Sequence, residues 1–379
     1  MVDLINFRTP SLVLDATKLQ NNIKRMQQKL SPFDVALRPH VKTCKSIDVA
    51  RIALTERSKG ITVSTLKEAE YFIEHGINDI LYAVAIVPNK LAQVAELQRQ
   101  GANITIILDS LAAAEAIRNT NVCFDAPLPV LIEIDSDGHR SGLRPDDEGL
   151  LVIGEYIDHA DNMLLQGVMT HAGSSYDCTS VEAIKNVAAQ ERDAILLAAK
   201  KLKDAALPCP VVSVGSTPTV FFAEKFDDIT EVRAGVYMFF DLVMAGLGVC
   251  NTEDIALSVL CSVIGHQQDK NWIICDAGWM AMSRDRGTQK QKQDHGYGLV
   301  CDLYGKPIVE DLIITAANQE HGIVSRRDNQ AIDFDRYPIG TLLRILPNHA
   351  CATAAQHNAY HVVQGSVAIT NLWQRFGGW

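Results

Sequence analysis

The sequence predicts an α/β fold, a (β/α)8 TIM barrel joined to a second, mainly β domain. Three observations lead there. Eight short apolar runs alternate with helical patterns between residues 34 and 236, near the ~250 residues typical of such barrels. No glycine-rich dinucleotide fingerprint follows the first strand, which weakens the alternative of an open doubly wound sheet. After about Ala245 the rhythm changes to strand-like runs divided by Gly, Asp and Asn turns, with no long helical pattern between them.

In chain order, Thr9-Pro10-Ser11-Leu12-Val13-Leu14-Asp15 reads as a short strand closed by an N-capping carboxylate. Leu19, Ile23, Met26 and Leu30 then recur at helical spacing. Barrel strands are expected at 34–37, 61–64, 80–84, 104–108, 130–134, 165–169, 211–214 and 231–236, with helices at 66–75, 112–118 and 181–206 among those between them. Further strands are expected at 255–263, 272–275, 312–317, 342–346 and 360–363. The expected division is a barrel over 16–244 and a β domain made of 1–15 and 245–379. The charged stretch 283–293 is too polar for a core and reads as a solvated loop, with a substrate-facing loop as the alternative.

The composition narrows the ligand. A net charge of -10 and a pI of about 5.6, with no long basic cluster, argue against a nucleic-acid partner and for a small molecule. Nine cysteines scattered through apolar segments do not form a disulfide framework. With no signal-peptide pattern and no apolar run of about 18 residues, a cytoplasmic protein without a membrane partner is expected.

In a parallel barrel, functional side chains gather where strands hand over to loops at the C-terminal face. Lys42 follows the first run, Arg140 the fifth, His171 the sixth and Gly215-Ser216-Thr217 the seventh, while Arg233-Ala234-Gly235 lies within the eighth. A lysine amine, whose pKa falls readily on burial, suits Schiff-base chemistry. Small residues and hydroxyls in the last two loops leave backbone N–H groups free for an anion. Together they point to a phosphorylated aldehyde. Singly, each has a plainer reading: a surface lysine, a satisfied core histidine, an ordinary Gly-Ser-Thr-Pro turn.

Several of these segments resemble the fold-type III pyridoxal phosphate (PLP) enzymes, the alanine racemase-like group, and within it the D-serine dehydratase and D-threonine aldolase family. Arg38-Pro39-His40-Val41-Lys42 is similar to that family's Schiff-base motif and implies Lys42, rather than Lys45, as the attachment point. The segment 133–142 resembles the one whose arginine, here Arg140, approaches the cofactor's phenolic oxygen. The segments 170–176, 215–219 and 232–237 resemble the loops around ring and phosphate. They imply cofactor contacts from His171, Tyr176, Gly215, Ser216 and Thr217, with Arg233 at the pyridine nitrogen and amides of Gly235 and Val236 at the phosphate. A homodimer is implied as well.

His349 and Cys351 stand two apart after a strand-like run, so in an extended backbone both would face one cation. Imidazole and thiolate suit zinc, with manganese or cobalt as alternatives, and two protein ligands leave positions open for water or substrate. Apart from the resemblance, the pair reads as a buried cysteine beside an incidental histidine. The aldolase branch commonly shows His-x-Asp here, so Cys351 favours dehydration. The expected activity is metal-assisted loss of water from a 3-hydroxy-D-amino acid, D-threo-3-hydroxyaspartate giving oxaloacetate and ammonia. Dehydration of D-serine, aldol cleavage of D-threonine and a non-catalytic PLP carrier are the alternatives, in that order. A second substrate carboxylate needs a basic partner, for which Arg284, Arg286 and His357 are the candidates.

Overall fold

The computed structural model describes residues 3–379. In chain order the elements are β1 (Ser11–Asp15), α1 (Ala16–Leu30), β2 (Ala36–Pro39), α2 (Ile47–Ala53), β3 (Ile61–Val63), α3 (Leu66–Glu74), β4 (Asp79–Ala85), α4 (Leu91–Arg99), β5 (Asn103–Leu108), α5 (Leu111–Arg118), β6 (Leu128–Ile134), α6 (Gly149–Asp158), β7 (Met163–Thr170), α7 (Val181–Asp204), β8 (Val211–Val214), α8 (Thr217–Phe222) and β9 (Glu231–Ala234). There follow α9 (Leu242–Gly246), β10 (Leu257–Gln267), β11 (Trp272–Cys275), α10 (Trp279–Met282), β12 (Gly298–Cys301), β13 (Leu312–Ala317), β14 (Gly322–Arg326), β15 (Leu342–Pro347), α11 (Ala350–Ala354), β16 (Ala359–Val363) and β17 (Asn371–Gln374). The chain divides into two compact units, one of Gln27–Gly235 with Gly378–Trp379, the other of the chain up to Met26 with Val236–Gly377.

The first unit is the barrel. Eight parallel strands run in the order β2-β9-β8-β7-β6-β5-β4-β3, and isolated parallel bridges, Leu37↔Ser58 and His40↔Thr62, close β2 onto β3. The amides of Leu37 and Val41 donate across this seam to Arg57 and Thr62. Pro39 lies between them on the same side and has no N–H to give, which explains why the seam is bridged rather than laddered. Helices start where a hydroxyl follows a strand: Thr65, Ser110 and Ser180 cap α3, α5 and α7 by accepting the third amide onward. Strand β2 begins two residues later than expected, at Ala36, because Asp34 and Val35 only lead into the ladder with β9.

The second unit is antiparallel apart from one pairing. Strands β10, β11, β14, β13, β12 and β15 pair in turn, and β15 returns to β10, closing a six-stranded ring. On β10 the sheet continues outward through β1, then β16 in parallel, then β17. Asp15 ends β1 and caps α1 through bonds from the Thr17 and Lys18 amides, as its position after the apolar run predicts. Strands β12, β14 and β17 were not expected. The first two open on glycine, and β17 is an edge strand of mostly exposed residues, so none carries a clear apolar pattern.

Gly167 marks a register shift between β6 and β7, has φ +130, and a Cβ there would collide with the Val211 carbonyl. Alanine therefore meets both a disfavoured backbone conformation and a blocked space. Gly167→Ala should lower stability by about 2–4 kcal/mol, read as a fall in the denaturant midpoint at unchanged m-value.

Candidate functional site

At the barrel mouth the two lysines of the first loop have separate fates. Lys45 has φ +43, and its amine lies 3.3 Å from the buried Glu68 carboxylate, which also accepts the Ser64 amide at 2.8 Å. Lys42 is exposed, not buried as a desolvated nucleophile would be. It makes no hydrogen bond or ion pair among the described residues. Its charge reaches His40 and His171, and so does that of Arg233, so these four gather at one place.

Arg233 is only 4% exposed. Its guanidinium donates to the Ser213 hydroxyl and the Thr170 carbonyl, and Ser213 in turn donates to Glu231 at 2.6 Å. His171 holds its Nδ1 2.9 Å from the Gly215 carbonyl. A carbonyl only accepts, so Nδ1 carries the proton and Nε2 is the acceptor. Burial pulls this imidazole down to about 4 against the help of that bond, with Lys42 and Arg233 adding to the fall. The ring is neutral. Tyr176 flanks it with ring centroids 6.3 Å apart. Arg140 stands off from this group, 62% exposed in its side chain and 3.9 Å from Glu133.

Of the amides the sequence implied for an anion, those of the turn after β8 are already occupied. The Gly215 N–H is taken by Glu191 at 3.1 Å and the Ser216 N–H by the Thr219 hydroxyl at 3.0 Å, within a capping box that starts α8. Gly235 and Val236, by contrast, have amides that donate to nothing among the described residues. A Cβ at Gly235 would come within 2.7 Å of the His40 carbonyl, and one at Gly215 would collide with the Arg233 carbonyl. Both positions need glycine for close backbone approach. His40 adds a buried Nδ1 with no partner among the described residues, while its Nε2 lies 3.3 Å from the Ser64 hydroxyl. An unpaired lysine amine, open amides and an orphaned imidazole nitrogen fit a phosphorylated aldehyde.

In the second unit His349 and Cys351 do meet, though not along an extended chain. His349 caps α11 in β conformation, and Cys351 lies in that helix's first turn. Their side chains hydrogen-bond to each other. Asp285 holds His349 Nδ1 at 2.9 Å, so Nδ1 carries a proton and Nε2 is the nitrogen that a metal could take once it displaces that ring nitrogen's proton. Burial lowers the His349 pKa, but the Cys351 charge and the hydrogen bond to Asp285 outweigh it and hold the imidazole well above its usual range. Nearly half of this side chain faces solvent, which screens that field. Asp241 fixes α11 by accepting the Ala350 amide at 3.0 Å, and Asn348 ties the preceding turn to the Asp285 and Gly296 carbonyls. No cluster of three or more His, Cys, Asp or Glu side chains able to hold a metal occurs among the described residues. The donor set is a two-ligand one.

The loop 283–293 is more than solvated chain, since Thr288 is fully buried and Asp285 reaches His349. Its arginines differ. Arg286 is paired with Asp294 at 2.8 Å and lies over Tyr297, so its charge is already compensated. His357 binds the Ala281 carbonyl at 2.8 Å and burial lowers its pKa, so it offers no cation. Arg284 stacks on Trp279 at 4.6 Å and makes no hydrogen bond among the described residues. Glu191, Asp241, Asp285 and Ser213 escaped the sequence reading. Only Glu191 left a clear signal, a charged residue on the apolar face formed by Ile184, Ala188, Ile195 and Ala199.

Residues 14–243 match the family model of the alanine racemase N-terminal domain, and 256–363 that of a putative serine dehydratase domain. The chain is 53% identical over 379 residues to D-threo-3-hydroxyaspartate dehydratase of Delftia sp. strain HT23, covering 99% of each chain. It is 32% identical to D-serine dehydratase of Dictyostelium discoideum, over 100% of this chain and 98% of that one. The solved structure of the Delftia enzyme superposes with a TM-score of 0.96 over 100% of both chains. A cysteine-to-alanine mutant of a D-threo-3-hydroxyaspartate dehydratase in the metal-free form, 52% identical, superposes equally well over 100% of both chains. The protein thus belongs to the alanine racemase N-terminal domain family, in the group that joins this barrel to a serine dehydratase domain.

Proposed function

We propose that this protein is a PLP- and metal-dependent dehydratase that converts D-threo-3-hydroxyaspartate into oxaloacetate and ammonia. One observation carries the reading: the barrel by itself presents an unpaired Lys42 amine beside open amides and an orphaned imidazole nitrogen, and the β unit by itself presents the Asp285-oriented His349–Cys351 pair. The 53% identity over 99% of both chains to a hydroxyaspartate dehydratase, against 32% to a D-serine dehydratase, favours the four-carbon substrate.

When bound, PLP supplies an electron sink at the substrate's Cα, and a divalent metal supplies a Lewis acid for the departing hydroxyl. Lys42 would attach the cofactor, and its amine would serve as the base for the substrate's α-proton. Neutral His171 and Tyr176 would flank the ring and Arg233 would face its nitrogen, while Arg140, which stands off from the other three, would have to turn inward to reach the phenolic oxygen. The Gly235 and Val236 amides and the Ser216-Thr217 turn held by Gly215 would take its phosphate. His349 and Cys351 hold the metal, zinc first by their donor chemistry, then manganese or cobalt. Loss of the α-proton and of hydroxide from Cβ leaves an enamine, which takes up water and releases ammonia to give oxaloacetate. Arg284, next in sequence to Asp285, is the arginine with hydrogen bonds to spare for the substrate's second carboxylate. Nine free cysteines suit a cytoplasmic enzyme, and we take it to work as a homodimer. The test is to load the protein with PLP and zinc, supply D-threo-3-hydroxyaspartate, D-serine and D-threonine, and identify the products. Oxaloacetate and ammonia in equal amounts support the reading; glycine with glyoxylate would mark an aldolase instead.

Lys42→Ala should abolish turnover and the visible absorbance of the bound cofactor. Lys45→Ala should keep both, at a stability cost of about 1–3 kcal/mol because the buried Glu68 loses its partner. Absorbance spectra and urea unfolding of the two variants decide this.

Chelation should remove activity and leave the cofactor absorbance in place. Asp285→Asn should mimic it in part, weakening metal affinity about 10–100-fold in a competition titration, because His349 loses the carboxylate that orients it.

Arg284→Ala should lower kcat/KM for hydroxyaspartate about 10–150-fold, the worth of a charge-assisted contact of ~1.5–3 kcal/mol, with D-serine little affected. Equal losses on both substrates would remove Arg284 from carboxylate recognition.

A further inference from the structure

We propose that Glu191, a residue of α7 that makes no contact with substrate in the reading above, is a positioning residue for the cofactor's phosphate. It fixes the turn after β8 against the loop after β7. The inference rests on the assignment of the Gly215–Thr217 turn to a phosphate.

The geometry is a clamp. Glu191 is 2% exposed, and its Oε1 alone accepts the Ala172 amide at 2.9 Å and the Gly215 amide at 3.1 Å. Ala172 follows His171 directly, and His171 binds the carbonyl of the same Gly215. Gly215 is therefore gripped at its N–H by Glu191 and at its C=O by His171, which leaves the turn one place to sit. The next residue carries the clamp onward: the Ser216 hydroxyl meets that of Ser175 at 2.9 Å and caps α8 through the Thr219 amide, while Thr219 also bonds Glu191.

A carboxylate beneath an anion site is an odd choice unless its work is mechanical. Two features resolve it. Burial raises the Glu191 pKa against the pull of these amides and of Arg233, which moderates its charge. Its lone pairs also occupy inward-facing amides, so the turn's strength goes into rigidity, and the phosphate meets hydroxyls together with the amides of Gly235 and Val236. A rigid turn presents its donors with little loss of entropy on binding. Because both amides share one oxygen, a glutamine carbonyl can replace the carboxylate, whereas aspartate, one methylene shorter, cannot reach.

The test compares PLP with pyridoxal, which lacks the phosphate. Affinities are measured by absorbance titration of the apo-protein for wild type, Glu191→Leu, Glu191→Asp and Glu191→Gln, with circular dichroism as the check on folding. Wild type should prefer PLP over pyridoxal; if it does not, the phosphate assignment itself fails. Given that preference, Leu and Asp should each cut the PLP-to-pyridoxal affinity ratio at least about tenfold, and Gln should hold it within about threefold. Should Leu not fold, Asp carries the comparison. A ratio unchanged in the folded variants, including one where both ligands weaken equally, would overturn the proposal by reducing Glu191 to a general structural role. A Gln variant as poor as Asp would overturn it too, because the acceptor geometry that glutamine keeps would then not be enough to hold the turn.

Discussion

The barrel is organised around a guanidinium that has lost its water. Arg233 cannot shed its proton, so its charge must be met inside the fold. Ser213 and Thr170 take its hydrogen bonds, Ser213 passes the interaction to Glu231, and Glu231 is bound by Arg38, which extends to Asp79. Strands β2, β4, β7, β8 and β9 thus share one polar chain where branched apolar side chains would usually fill a barrel. Stability alone does not call for it, since apolar packing of the same volume often does as well or better. Breaking one link is expensive, about 3–5 kcal/mol for a buried charge left unpaired. The arrangement makes sense as the cost of keeping a fixed positive charge at the mouth.

The same logic recurs on a smaller scale in both units. Functional groups stand on loops, and loops are soft unless something holds them from behind. In the barrel, Glu191 draws together the Ala172 and Gly215 amides. In the β unit, Asp241 holds the amides of Ala350 and Met244, Asn348 holds two carbonyls, and Asp285 orients His349. Three of these four are carboxylates, whose bonds to N–H groups are charge-assisted and about twice as strong as neutral ones. The strongest acceptors are spent on shape, which leaves Lys42 unpaired and exposed.

This division of roles decides what could be read from sequence. The repeating β and helical runs carry periodicity over many residues, so the barrel and the mainly β structure that follows it were legible. Lys42, His171, Arg233, His349 and Cys351 stood out as candidates because their segments resemble the family's motifs, each having a plainer reading on its own. What stayed hidden depends on pairs distant in sequence: Asp285 with His349, Ser213 with Arg233, Glu191 with Gly215. The extended backbone assumed for His349 and Cys351 gave way because Asp241 accepts the Ala350 amide and starts a helix there. Gly215 and Ser216 looked open to an anion because neither Glu191 nor Thr219 announces where its oxygen will fall. Arg286 and His357 looked available until Asp294 and the Ala281 carbonyl were seen to occupy them.

The proposed reaction also gives the two units unequal tasks. A guanidinium facing the pyridine nitrogen disfavours a second positive charge there, so the ring would be a weaker electron sink than a protonated one. Exchange of an α-proton tolerates that, because it asks only for Lys42 and a modestly stabilised carbanion. Dehydration does not, because hydroxide is a poor leaving group and the electrons must be drawn onward to Cβ. Help is needed at the departing oxygen, and the two-ligand His349–Cys351 pair is suited to give it, since a metal held by so few protein groups keeps open positions for an incoming hydroxyl.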